Sequence, residues 1–93
     1  MKRTLISSNT FINAAKRVVK KDPHVAEDIK ETLDLLTENI FDTRLKTHKL
    51  KGKLKGSLAC SVGYNLRIVF KIVRYKSSDA ILLETLGTHD EVY

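Results

Sequence analysis

Cysteine is almost absent from this chain: Cys60 is the only one among 93 residues. An internal disulfide is therefore excluded, and with the three histidines scattered along the sequence no Cys/His cluster has metal-ligand spacing. No metal site and no cofactor is implied. The alternating neighbours of Cys60 mark it as a small buried hydrophobe. Long apolar runs are missing too. No stretch approaches the length of a transmembrane helix, and the basic opening "MKRTLISSNTF" lacks the apolar core of a secretory signal. The expected location is cytoplasmic, with no membrane partner. There is also no linker, no repeat of domain size and no low-complexity segment, so residues 1–93 read as one domain with one modest core.

Negative charge is the most informative deficit. From Thr43 to Ser78 there is no Asp or Glu, while the same stretch carries Arg44, Lys46, Lys49, Lys51, Lys53, Lys55, Arg67, Lys71, Arg74 and Lys76. The formal net charge is +6. A balance of this kind points to an anionic partner, with nucleic acid, an acidic protein and an anionic membrane surface as the candidates. The membrane is the weakest of these, because the apolar periodicity is accounted for by a core. At the centre of the basic stretch lies "THKLKGKLKG", in which Lys-Leu-Lys-Gly is written twice. In an extended chain Lys49, Lys51, Lys53 and Lys55 would share one side, with Leu50 and Leu54 on the other.

What is present describes an ordered set of elements. Acidic residues gather in "VAEDIKETLDLLTENIFD", where Val25, Ile29, Leu33, Leu36 and Ile40 recur at spacings of four and three, the apolar face of an amphipathic helix. Asp22 as N-cap and Pro23 as first helical residue mark its start. Phe11, Ala15 and Val18 predict a shorter helix from Asn9 to Lys20, and "RTLIS" before it a short strand. After the lysines the period changes to two. In "SLACSV" Leu58, Cys60 and Val62 alternate with Ser57, Ala59 and Ser61; in "LRIVFKIV" Leu66, Ile68, Phe70 and Ile72 alternate with Arg67, Val69, Lys71 and Val73.

A hairpin must bring both apolar sets to one face, which fixes its loop. Three residues, Gly63, Tyr64 and Asn65, with Asn65 in the left-handed conformation, pair Val62 with Leu66, Cys60 with Ile68 and Ser61 with Arg67. A third strand, "AILLETL", follows the turn at "KSSD". The order β-α-α-β-β-β predicts an α+β domain whose helical hairpin packs on one face of an antiparallel-rich sheet.

The open face of that sheet would carry Ser61, Arg67 and Lys71, with His48 and His89 at its margins. His24 falls in the first turn of the acidic helix and reads as a solvated surface residue. Metal-free RNA cleavage proceeds by attack of a 2′-hydroxyl on the adjacent phosphorus. It needs a base for that proton, an acid for the leaving 5′-oxygen and cations for the charge on phosphorus. Two imidazoles, a guanidinium and a row of lysines suit these roles, and Tyr64 and Tyr93 are available to stack on bases. The alternative reading of the same residues is that His48 caps a loop and His89 merely precedes the terminus.

The run "HKLKGKLKGSLACSVGYNLRIVFKI" followed by "ILLETLGTHDEVY" resembles the RelE/ParE superfamily of type II toxin-antitoxin toxins, and within it the YafQ-like and RelE/StbE-like mRNA interferases. The resemblance implies a small cytosolic toxin that cleaves mRNA, commonly on the ribosome, and is held inactive by a cognate antitoxin. It implies His48 and His89 as the outer catalytic histidines, His89 as general acid, Tyr93 as an aromatic that stacks on or orients RNA, and Arg67 as a phosphate or transition-state ligand. The general base is His48, or a lysine of the run. Lys49, Lys51, Lys53, Lys55 and Lys71, with Tyr64, would bind RNA. Where YafQ-like toxins carry a further histidine and an aspartate, this chain has Ser61 and Asn65, and RelE-like toxins rely on lysines and arginines instead. Two other functions fit the sequence: a ParE-like inhibitor of DNA gyrase without catalytic activity, and a non-catalytic RNA-binding module.

Overall fold

The computed structural model describes residues 2–93. Its elements are β1 (Thr4–Ser7), α1 (Asn9–Lys21), α2 (Val25–Glu38), β2 (His48–Lys49), β3 (Leu58–Val62), β4 (Leu66–Tyr75), β5 (Ser78–Thr88) and α3 (His89–Val92), with 3-10 turns at Thr43–Leu45 and Gly52–Leu54. The sheet runs β1-β5-β4-β3-β2; β1 lies parallel to β5 and every other pair is antiparallel. The expected α+β order is present, extended by the two-residue edge strand β2 and by the terminal turn α3. No helix among the described residues is long and apolar enough to cross a membrane.

One face of the sheet meets the helices. Phe11 and Ala14 of α1 and Ile29 and Leu36 of α2 pack with Cys60, Val62, Ile68, Phe70, Ile81, Leu83 and Leu86, all buried. Hydrophobic burial at this layer is the main favourable term holding the helices down. Ser8 caps α1 by accepting from the Phe11 N–H at 3.0 Å and donates its own hydroxyl to the Glu84 carbonyl at 2.9 Å, so one side chain joins the helix start to β5. The second helix begins at Val25, two residues later than Asp22 and Pro23 imply. Asp22 instead accepts from the His24 N–H at 3.2 Å, closing a local turn, and as the residue before proline it is extended at φ −142°.

The β3–β4 register is the one required by parity: Val62 with Leu66, Ser61 with Arg67, Cys60 with Ile68. The loop is Gly63, Tyr64 and Asn65, but the left-handed residue is Gly63, at φ 56°, not Asn65. A Cβ on Gly63 would also come within 3.3 Å of the Asp28 carboxylate. Across β4 and β5 the register slips by one at Val69/Phe70, where Val69 pairs with Thr85 and Phe70 with Leu83. Glu84 is thus the extra residue of a β-bulge. Without the slip Glu84 would face Phe70 in the core; with it Leu83 does.

The lysine run is not the extended row its alternation implies. After Lys49 the chain turns through Gly52 at φ 68° and Gly56 at φ 97°. These left-handed positions break the strand period. Lys49, Lys51, Lys53 and Lys55 are all exposed, and Leu50 and Leu54 are half-buried. Gly63→Ala is expected to destabilise the protein by about 1–2 kcal/mol through the left-handed penalty, while Asn65→Ala stays within about 0.5 kcal/mol. Urea unfolding of the two variants checks this, and the reverse ranking would return the left-handed role to Asn65.

Candidate active site

The two sequence-distant histidines are brought together by the end of β5 and the start of β2. Thr88 and Glu91 form a capping box around α3: the Glu91 carboxylate accepts from the Thr88 N–H at 2.8 Å and the Thr88 hydroxyl accepts from the Glu91 N–H at 3.4 Å. Those bonds hold the Glu91 carboxyl below its ordinary pKa, aided by Arg17 and Lys21. Gly87 lets the turn fold close, since a Cβ there would lie 3.1 Å from the Glu91 Cβ and 3.2 Å from Val92. One turn separates His89 from Tyr93, and their rings meet edge to face with centroids 4.5 Å apart.

Tyr93 also reaches His48: its hydroxyl lies 3.2 Å from Nε2, while His48 Nδ1 lies 3.1 Å from the Lys46 carbonyl. A carbonyl only accepts, so Nδ1 carries the proton in the neutral ring and Nε2 presents its lone pair to the Tyr93 O–H. Partial burial raises the Tyr93 phenol above its ordinary pKa, against the opposite pull of Arg67. It therefore stays a donor at neutral pH. Lys46 aims its carbonyl from the left-handed conformation at φ 53°. The loop before it is clamped by Asp42, which accepts from the Arg44 backbone at 2.9 Å and from its guanidinium at 3.0 Å through both oxygens. Thr47 adds a hydroxyl bond to the Ile40 carbonyl at 2.6 Å.

His48 pairs with Ala59 and Arg67 with Ser61, so both lie on the sheet face away from the helices. Arg67 donates from Nη1 to the Leu66 carbonyl at 2.9 Å, and its charge is felt by Tyr93. His48, Arg67, His89 and Tyr93 therefore belong to one corner. The remaining predicted residues do not join it. Lys49 pairs with Leu58, on the helix-bearing side. Tyr64 is 98% exposed at the tip of the β3–β4 hairpin. Lys71 lies along β4 and pairs with Glu84 at 3.7 Å; Glu84 in turn accepts from the Ser57 hydroxyl at 2.6 Å. An acid from outside the basic stretch thus tempers one of its cations, as Asp42 and Asp79 do for Arg44 and Arg74.

His24 is exposed at the N-terminus of α2. Burial pushes the Cys60 thiol up to about 12, which makes it an inert core side chain. Among the described residues no group of three or more His, Cys, Asp and Glu side chains could hold a metal. Two features escape the sequence reading, the Lys46 carbonyl and the Thr88–Glu91 box. Only the second has a sequence signal, the spacing Thr-x-x-Glu.

The fold is that of a class, the small toxins of RelE/ParE architecture. The YoeB/ParE toxin from Agrobacterium tumefaciens superposes with TM-score 0.77 at 16% identity, over 92% of this chain and 98% of that one. YafQ from E. coli strain BL21(DE3) gives 0.79 at 20% identity over 99% of both chains, and the E. coli DinJ-YafQ toxin-antitoxin complex gives 0.77 at 21%, over 100% of this chain and 99% of that one. No curated protein matches the chain in sequence. The sequence model of the family described as the bacterial toxin of type II toxin-antitoxin system, YafQ, matches residues 3–93, and the chain belongs to that family.

The Arg44 clamp holds the Asp42 carboxyl at about 2, below its ordinary value of 3.8. A depressed carboxylate contributes stability above the unfolded pKa and loses it as pH falls toward the folded one. The clamp should therefore weaken only as pH drops from near 4 toward 2; a carboxyl NMR titration of Asp42 checks this, with Arg44→Gln returning the midpoint upward. For His48, nitrogen NMR of the neutral imidazole is expected to show the proton on Nδ1. The tautomer should persist in Tyr93→Phe, because the Lys46 carbonyl remains. A proton on Nε2 in either protein would contradict the assignment.

Proposed function

We propose that the chain is an endoribonuclease, an mRNA interferase that acts in the cytoplasm on ribosome-associated mRNA and is held inactive by a cognate antitoxin. The observation that carries the catalytic part is the convergence of His48, His89, Tyr93 and Arg67, from three separate elements, on the exposed sheet face. Membership of a type II toxin family supports the antitoxin, as does the existence of a DinJ-YafQ complex for a structural neighbour.

In this reading the RNA 2′-hydroxyl replaces the Tyr93 hydroxyl at the His48 Nε2 lone pair and gives its proton there. The 2′-oxygen then bonds to phosphorus as the bond from phosphorus to the 5′-oxygen breaks, and protonated His89 supplies the proton that the leaving oxygen needs. The products are a cyclic phosphate and a free 5′-hydroxyl. Arg67 presents a planar fork to the charged phosphoryl oxygens. Tyr93, released from His48, is free to stack on a base. The exposed lysines draw the polyanion toward the face at long range. Ser61 is across the strand from Arg67, and Asn65 lines a cleft with Arg17, Lys21 and Glu91. Neither is an acid or a base, so proton transfer falls to His48 and His89, and cations and substrate positioning supply the rest of the rate.

The deciding experiment is single-turnover cleavage of a short mRNA on programmed ribosomes. His89→Gln preserves polarity but has no acidic proton to give, and is expected to slow cleavage by about 10²–10⁴-fold, the usual worth of a positioned acid. Folding should be unaffected, since His89 is exposed. Arg67→Lys keeps the charge but loses the fork, and should cost more than Lys71→Ala. If the parent cuts no mRNA and instead inhibits gyrase, the reading fails in favour of the ParE-like one. Binding to ribosomes without cleavage would favour the non-catalytic module.

A further inference from the structure

A second feature lies away from the histidine corner. Lys49, Lys51, Lys55, Leu50, Leu58 and Ile72 line a groove of about 560 Å³ beside the edge strand β2. Its floor is a continuation of the core. Along β4 the helix-facing positions Ile68 and Phe70 are fully buried, but Ile72, next on that face, is 42% exposed. The apolar stripe therefore runs on past the helices that cover the rest of it. Its walls are cationic: none of the ion pairs among the described residues involves Lys49, Lys51 or Lys55. The loop that sets this shape turns at Gly52 and Gly56, where an added Cβ would meet nothing within 4 Å. Backbone conformation, not crowding, is what requires glycine there.

We propose that this groove is the docking site for an acidic segment of the antitoxin that bears aliphatic side chains, an inference that rests on the antitoxin-controlled reading given above. The charge of the walls selects an anionic occupant. The aliphatic floor favours a peptide over RNA, because bases stack on aromatic rings or guanidinium planes and neither lines this groove, whereas aliphatic side chains pack against Leu50, Leu58 and Ile72. Two or three aliphatic side chains fill the floor while carboxylates on either side meet the lysines, the arrangement of an apolar centre with a charged rim. Occupation also removes lysine charge that would otherwise attract RNA. The segment thereby opposes substrate recruitment without touching His48 or His89.

Calorimetric titration of the parent chain and its variants with the purified antitoxin tests this. Ile72→Asp puts a like charge on the floor and is expected to weaken binding at least about tenfold, while Ile72→Leu binds as the parent does. Lys51→Glu with Lys55→Glu should lower affinity and flatten its dependence on salt. This pair carries the test if Ile72→Asp lowers the melting temperature. Unchanged affinity in Ile72→Asp and in the lysine pair would overturn the proposal. So would loss confined to Lys16→Glu with Lys20→Glu, which flank the separate apolar groove between α1 and α2. Normal antitoxin affinity with weakened ribosome binding in Ile72→Asp would reassign the groove to nucleic acid. A parent chain that does not bind the antitoxin at all refutes the antitoxin reading itself, a result distinct from the others.

Discussion

The β-bulge at Glu84 sets the relation between the core and the open face. Ile81, Leu83 and Leu86 all point to the helices, although their spacing of two and then three cannot be met by an unbroken strand. Slipping the register between Val69 and Phe70 resolves the conflict, because it advances one residue without reversing the faces on either side. The displaced residue is the only acid in the interior of β5. Had it stayed in register its carboxylate would lie among Phe70 and its neighbours, at a desolvation cost of several kcal/mol. Displaced, it accepts from Ser57 and pairs with Lys71. Beyond the bulge the restored alternation pairs Arg67 with Gly87 and Leu66 with Thr88. That pairing is what delivers α3, with His89 and Tyr93, to the strand end beside Arg67.

Charge is distributed by the same geometry. Residues directly opposite on neighbouring strands share a face, so the pairs His48–Ala59 and Lys49–Leu58 send two adjacent side chains to opposite sides of the sheet. The sequence places the histidine and the lysines in one motif, yet the fold divides them between two surfaces. On the open face the cations are few and partly tempered, Lys71 by Glu84, which leaves Arg67 as the charge nearest the histidine corner. At the edge no ion pair among the described residues involves Lys49, Lys51 or Lys55, and these lysines surround apolar side chains. In the reading proposed above, the histidine corner and the groove are thus separate surfaces of one basic stretch, and an acidic segment in the groove opposes RNA recruitment through the lysine charge without touching the histidines.

Much of this was legible in the residues. Parity excludes a two-residue loop between β3 and β4, and a three-residue loop gives the pairings of that hairpin that the structure shows. The apolar faces of both helices follow from their spacing, and the position of His48 and His89 on the margins of the open face follows from element order. Three expectations differ from the structure, each for a local reason. Asp22 has two acceptor roles open to it, N-cap and turn, and the proline beside it favoured the turn. Alternation of Lys and Leu predicts an extended row only while φ stays negative, and Gly52 and Gly56 escape that condition at no steric cost. Both Asn65 and Gly63 tolerate the left-handed conformation, and Gly63 takes it because it adopts it more readily.

The hydrogen bond from Tyr93 to His48 bears on how such a site can be both ordered and accessible. Lys46, held left-handed, fixes the Nδ1 proton, and the Nε2 lone pair is consequently the atom that any incoming hydroxyl must use. In the free protein Tyr93 occupies it. The net worth of one such bond is about 0.5–1.5 kcal/mol, and Tyr93 directly follows the four-residue turn α3 and is 41% exposed, so in the mechanism proposed above an RNA hydroxyl takes its place at a cost of that order. The exchange leaves the imidazole where it was, since its orientation comes from the opposite nitrogen. In the proposed mechanism this divides labour within one ring, Nδ1 for position and Nε2 for chemistry, so that a surface histidine stays aligned without being buried.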